Sequence, residues 1–357
     1  MANSDALLVV EVRGRIGHLQ LNRPHALNAL SLELIQKVIE CLRDWSTDDA
    51  IDAVLMTGYG DRAFCAGVDV KSIYESGKSS QPGAHGELAG DLFRFEYTMD
   101  HLVATYPKPC ISYWDGIVMG GGVGISVMGS HRVASDRTKL AMPETGIGLF
   151  PDVGASYFLS RLGPIGLLLG TTGVTIGASD LIELGLATHH VPHASRARWI
   201  ASLCNDGIED SLDQFSTATN VSADWKRLSE IAERCFQGQQ IEEVFASLES
   251  LVSSREPLSI YARGILNRLE ERSPTSLVLT MEQMRRGAEQ SYEDCLVMEY
   301  RMSQVCLQRN DFYEGVRAVL VDRDQSPNWD PASVSDVVPG RVASHFEHLG
   351  ELDLQLS

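Results

Sequence analysis

The chain has 357 residues, 44% hydrophobic and 22% charged, with 48 acidic against 30 basic side chains and a formal net charge of −18. That length accommodates one large domain with an appendage. The acidic balance excludes broad nucleic-acid or anionic-membrane surfaces, which need excess positive charge, although a few local arginines or lysines suffice for a small anionic ligand.

In chain order, Leu7–Val12 and Ile16–Leu21 are β-type runs flanking Arg13-Gly14-Arg15, the pattern of a hairpin. From Ser31, apolar residues at Leu34, Ile35, Val38, Ile39 and Leu42 predict a helix with Ser31 as its N-cap. Ala53–Thr57 is a short buried-type strand stopped by Gly58, leading to a first glycine loop, Phe64-Cys65-Ala66-Gly67-Val68-Asp69. Ser76–Gly86 has no periodicity and is expected to be a loop, either a plain surface connection or a substrate-covering flap. Pro109–Trp114 is a second strand, leading to Met119-Gly120-Gly121-Gly122-Val123-Gly124, and Arg132–Ala134 looks like a third. Strand, loop and helix thus occur twice, which suggests layered βα units with both loops at one edge. A polar stretch, Cys204–Ala223, separates this half from a helical remainder predicted at Ile241–Leu251, Leu258–Leu269, Leu277–Arg286 and Tyr292–Leu307. The expected division is a catalytic core over residues 1–205 and a helical C-terminal region over 206–357.

The cysteines at 41, 65, 110, 204, 235, 295 and 306 form no close CxxC pair, so neither a disulfide framework nor a zinc knuckle is indicated. The sequence contains no run of ~18 apolar residues and no basic-then-apolar opening after Met1. A soluble protein that binds neither membrane nor nucleic acid is the expectation, cytoplasmic as in a bacterial-type form or else a processed organellar form. Trp114, His131 and His189-His190 have no metal-ligand spacing around them, so no metal is expected. The glycine run lacks the unit and downstream acid of a dinucleotide fold.

A glycine run opening a helix aims unpaired N–H groups outward, and two such loops at one point form an oxyanion hole. Two carboxylates follow: Glu144 in Met142-Pro143-Glu144-Thr145, and Asp152 in Phe150-Pro151-Asp152. Read singly, the triple glycine is a tight turn, Pro143-Glu144 an ordinary helix start and Asp152 an N-cap. Jointly they read as acyl chemistry at a thioester-like carbonyl, with the acids as nucleophile, base or acid.

These residues resemble the crotonase (enoyl-CoA hydratase/isomerase) superfamily, and within it the 3-hydroxyisobutyryl-CoA hydrolases. Leu21-Asn22-Arg23-Pro24-His25-Ala26-Leu27-Asn28-Ala29-Leu30 is similar to a common opening of the superfamily. The block Met119–Leu162 is similar to the hydrolase branch, as are Ser273–Leu277, Met298–Gln304, Asp311–Ala318 and Asp324–Trp329. The match spans roughly residues 8–350. It implies an α/β fold, the ClpP/crotonase-like spiral of ββα units with a helical C-terminal region. It also implies hydrolysis of a 3-hydroxyacyl-CoA, 3-hydroxyisobutyryl-CoA or its near relative 3-hydroxypropionyl-CoA, as in valine breakdown.

By the same resemblance, the amides of Val68 and Gly121 form the oxyanion hole and Glu144 and Asp152 are catalytic. Glu96 contacts the substrate, with Ala66, Gly67 and Gly120 also lining its site. Where hydratases carry a glutamate four residues after the first glycine of the triple, this chain has Gly124, which speaks against hydration. An isomerase or hydratase of the same fold and a non-catalytic acyl-CoA-binding subunit are the alternatives. Arg23, His25, Arg62 and Lys71 lie near the motifs that meet CoA phosphates, without one being singled out. No cofactor beyond the substrate's own CoA is implied. A homo-oligomer, trimer or dimer of trimers, is left open, since the added helices could cover that surface.

Overall fold

The computed structural model describes residues 6–79 and 87–356. They group into two compact units: Met1–Asp69 with Phe95–Ala141 and Thr175–Ser222, and Val70–Arg94 with Met142–Val174 and Ala223–Ser357.

Among the described residues the first unit carries nine strands: β1 Leu8–Arg13, β2 Ile16–Leu21, β3 Ala53–Gly58, β4 Ala63–Cys65, β5 Cys110–Trp114, β6 Ile117–Met119, β7 His131–Ala134, β8 Lys139–Ala141 and β9 His189–His190. β1 and β2 form the expected hairpin; Arg13 pairs with Ile16 across a two-residue loop whose Gly14 takes φ +60°. One sheet runs β1-β2-β3-β5-β7-β9 and a second runs β4-β6-β8. Apart from β1 with β2, these strands pair with one another in parallel among the described residues, and a single antiparallel bridge joins Leu140 of β8 to Ile176. From β3 to β8 the chain alternates sheets, each strand of the large sheet being followed by one of the small sheet. This alternation is the repeating ββ turn of a spiral. β3 and β5 are buried at every position, which is why they read as unbroken apolar runs rather than alternating ones. The helix Leu32–Ser46 starts on Ser31, whose side chain accepts from Leu34 N, and buries the face its spacing predicts.

Two expectations change. The stretch Cys204–Ala223 contains a helix, Ile208–Phe215. Ile208, Leu212 and Phe215 fall on one face, with Leu212 buried in the core around Ile111, Tyr113 and Trp199 and the other two half-buried against it, so one apolar face overrides a polar composition. Of the expected loop Ser76–Gly86, residues 76–79 end the helix Val70–Ser79, and 80–86 lie outside the described residues. Gly77 is tolerated there because the Tyr313 ring packs where a Cβ would stand.

The second unit is helical. The helix expected from Leu277 begins three residues earlier, at Pro274. Proline suits the first helical position, where its missing N–H costs nothing, and Ser273 caps the end by accepting from Ser276 N at 3.1 Å. Ser291 caps the helix Tyr292–Cys306 in the same way, through Asp294 N at 3.1 Å.

Candidate active site

In the first unit, β4 and β6 are hydrogen-bonded neighbours, with Cys65 opposite Val118. Both strands run the same way, so their ends deliver Ala66-Gly67-Val68 and Gly120-Gly121 to one edge. Gly67 has φ +102°, a conformation that favours glycine, and a Cβ there would stand 3.1 Å from Met119 O and 3.5 Å from Gly121 N. Leu30 pairs with Val68 through Leu30 N to Gly67 O (2.8 Å) and Asp69 N to Leu30 O (2.9 Å). A parallel bridge made this way leaves the Val68 N–H out of the pairing. Gly121 is the first residue of the helix Gly121–Val127, where an amide has no partner inside the helix. Two donors on touching turns are what an oxyanion hole requires.

Glu96 is fully buried against this edge; a Cβ on Gly121 would collide with its Oε1. Cys65 is pushed up to about 12, chiefly by burial, and is therefore no nucleophile. Arg23 is engaged internally, donating to Asp69 Oδ2 at 2.8 Å and Ala29 O at 2.7 Å. Ala66, Gly67, Val68, Glu96, Gly120 and Gly121 thus gather within one unit.

The second unit brings the two acids together. Glu144 opens a 3-10 turn, Glu144–Ile147, after Pro143. Its side chain is buried, and Oε2 has no hydrogen-bond partner among the described residues. Burial first, then the charges of Asp152 and Glu299, hold its carboxyl well above the usual carboxylate range. Asp152 is also buried, in a turn where Val153 has φ +55° and Gly154 φ +88°. A β-branched residue in the left-handed region is strained, so this turn must be held from outside.

Two residues that sequence reasoning did not single out do the holding. Glu299 Oε2 accepts from Gly154 N at 2.6 Å, and Oε1 accepts from Ser156 N at 2.8 Å and Ser156 Oγ at 2.6 Å. Gln283 Nε2 donates to Pro151 O and, at 2.8 Å, to Ser156 Oγ. Burial, opposed by those three hydrogen bonds and aided by Asp152, raises Glu299 to about 8. A signal existed: Cys295, Leu296, Met302 and Cys306 surround Glu299 at helical spacing, which puts an acid on an apolar stripe.

Among the described residues, no group of three His, Cys, Asp or Glu side chains is arranged to hold a metal, and no helix is long and apolar enough to cross a membrane.

A family model described as enoyl-CoA hydratase/isomerase matches residues 16–346, and the chain belongs to that family. Among its relatives, the mitochondrial 3-hydroxyisobutyryl-CoA hydrolase of Gallus gallus is 40% identical, over 99% of this chain and 92% of that protein. The mitochondrial 3-hydroxyisobutyryl-CoA hydrolase of Danio rerio is 41% identical over the same shares. The crystal structure of a carnitinyl-CoA dehydratase from Mycobacterium thermoresistibile superposes with a TM-score of 0.91 at 37% identity, covering 98% of this chain and 99% of that one. The fold is therefore the crotonase-type α/β spiral with a helical C-terminal region, as the sequence led us to expect.

Proposed function

We propose that the chain hydrolyses a 3-hydroxyacyl-CoA thioester, 3-hydroxyisobutyryl-CoA in the first instance, to the free 3-hydroxy acid and CoA. The observation that carries the reading is a buried carboxyl, Glu144, with one oxygen unsatisfied and the charge of a second buried acid, Asp152, acting on it. The names of the full-length relatives support the substrate.

In this reading the N–H groups of Val68 and Gly121 receive the thioester oxygen as negative charge builds on it. An ionised Glu144 has two routes. It bonds to the carbonyl carbon as the C–S bond breaks, giving an anhydride that water then opens. Alternatively, it takes a proton from a water whose oxygen attacks the same carbon. Asp152 orients the 3-hydroxyl or the water and passes a proton to the departing thiolate. A carboxyl raised towards neutrality suits this work, since a base is most effective when its pKa lies near the working pH. The chemistry uses no cofactor beyond the substrate's CoA.

A second reading, water loss or addition at a double bond, is favoured by the carnitinyl-CoA dehydratase likeness. Against it stands Gly124, inside the buried helix Gly121–Val127, at the place where hydratases of this family carry a second acid–base group.

The test offers 3-hydroxyisobutyryl-CoA, crotonyl-CoA and a 3-enoyl-CoA while following free thiol and double-bond absorbance. Thiol release from the first alone is the expected result. An absorbance change with crotonyl-CoA and no thiol from the hydroxyacyl substrate would replace hydrolysis by hydration. Silence on all three with CoA still bound would leave a binding subunit.

A further inference from the structure

The turn Pro151–Ser156 carries Asp152 and contains a strained residue, and Ala155 N donating to Asp152 O at 3.0 Å closes it from within. Val153 at φ +55° persists only because surrounding bonds fix it. Three of those bonds end on one carboxyl, that of Glu299, from the helix Tyr292–Cys306. A fourth link runs from Gln283, on the helix Pro274–Gly287, through Ser156 Oγ to the same carboxyl. Glu299 is fully buried, and among the described residues no salt bridge reaches it. A helical glutamate placed there for packing alone would be replaced without loss by an apolar side chain; this one terminates a chain of donors.

We propose that Glu299 is a positioning residue for the hydrolysis, clamping the strained turn that presents Asp152 and placing a third acid beside the Glu144–Asp152 pair. The kinetic half of this rests on the hydrolase reading above; the geometric half does not.

The groups that bear on Glu299 are few. Asp152 faces it from the turn and acts on it directly, and its own charge reaches Glu144. On its own helix, Cys295 lies one turn earlier and feels the Glu299 charge, and the Tyr292 ring lies against Gly154. Arg161, near Cys295, is taken up by the carbonyls of Tyr157, Gly287 and Gln290. On the helix Pro274–Gly287, Arg285 and Arg286 pair with Glu282. All the hydrogen bonds Glu299 makes are donated to it, which favours the ionised form, while burial and Asp152 favour the neutral form. Three acids in one dry region share protons, so the state of one moves the others.

The test compares wild type with Glu299→Gln, which keeps the shape but removes the charge and turns one acceptor into a donor. Two readouts are taken against pH: the infrared band of protonated buried carboxyls, and kcat/KM for thiol release. The band that remains in E299Q is expected to titrate lower by about one pH unit. The acid limb of kcat/KM is expected to move with it, and kcat to fall about a hundred-fold with little change in KM. A limb and a band that stay in place overturn the proposal even if kcat drops, because mere damage lowers turnover without moving a titration. If E299Q does not fold, Ser156→Ala removes one of the three donors and replaces it in the test. There the Glu299 band is expected to titrate higher, since losing a donor favours the neutral carboxyl, and no displacement overturns the proposal. If wild type releases no thiol, the hydrolase reading fails, and the infrared titration alone decides the role of Glu299.

Discussion

At the residue scale, Glu144 and Asp152 are two buried acids in one unit, and replacing each by its amide separates charge from shape. Glu144→Gln and Asp152→Asn are each expected to lower thiol release by about a thousand-fold or more, as when one member of a catalytic set is removed. CoA affinity, measured by calorimetry, stays within a few-fold of wild type. Full turnover by either variant removes that residue from the mechanism. Gly121→Ala tests the other half of the chemistry. Its Cβ meets Glu96 Oε1 and stands 3.2 Å from Leu30 Cδ1, so the buried Glu96 side chain or the Gly121 amide must shift. Loss of one oxyanion donor typically costs about a hundred- to a thousand-fold in kcat, and that fall with a folded protein is the expected outcome. An unchanged kcat would mean that displacing the Gly121 amide or Glu96 does not reach the reacting oxygen, and would remove this edge from the mechanism. Glycines and a Pro-Glu pair were legible in the sequence because their constraints are local. The role of Glu299 was not: its apolar stripe points to burial, but its partners at Gly154 and Ser156, over 140 positions away, are what reveal the clamp.

At the scale of elements, two serine caps occupy different surroundings. Ser291 accepts from Asp294 N and donates to Asp294 Oδ2 near the surface. Ser273 accepts from Ser276 N and also donates at 2.6 Å to Asp311 Oδ2, with both residues buried. Ser291→Ala is expected to cost about 1 kcal/mol, an ordinary cap. Ser273→Ala costs about 2 kcal/mol or more, because it also leaves a buried acceptor without its donor. Guanidinium unfolding of both variants gives the comparison, and equal losses would show that the Ser273–Asp311 bond adds nothing. These helices were legible because caps and a 3.6-residue period lie within a dozen residues. The strands β4, β6 and β8 were not, since three residues carry no usable period. They nonetheless decide the site, because the pairing of β4 with β6 is what brings the two glycine loops to one edge.

For the molecule as a whole, buried titrating groups set how stability varies with pH. Burial drives His18 and His345 down to about 4 from 6.5. A base whose folded pKa is lowered costs nothing above 6.5, and stability is lost as pH falls from there through 4. Burial lifts Glu299 from 4.5 to about 8 and raises Glu144 as well. An acid whose folded pKa is raised costs nothing below 4.5, and stability is lost as pH rises through the folded value. Between 4.5 and 6.5 these histidines, joined by His131, His189 and His190, which burial also lowers, oppose the raised acids, joined by Asp311, so the maximum is expected near 6.5. Above 6.5 the histidine contribution has ended and the acids act alone, so stability falls towards pH 8. The net charge of −18 gives a second cause for that fall, self-repulsion of the surface. Salt separates the two, because it screens exposed charges strongly and buried ones little. Guanidinium would itself screen, so urea unfolding is the suitable measurement, at pH 6.5 and 8 and at low and high salt. The expected result is a fall that persists at high salt in wild type and shrinks in Glu299→Gln. Stability that rises from pH 6.5 to 8 in wild type, or a fall that salt abolishes, would mean that the buried acids do not hold their protons in the folded protein.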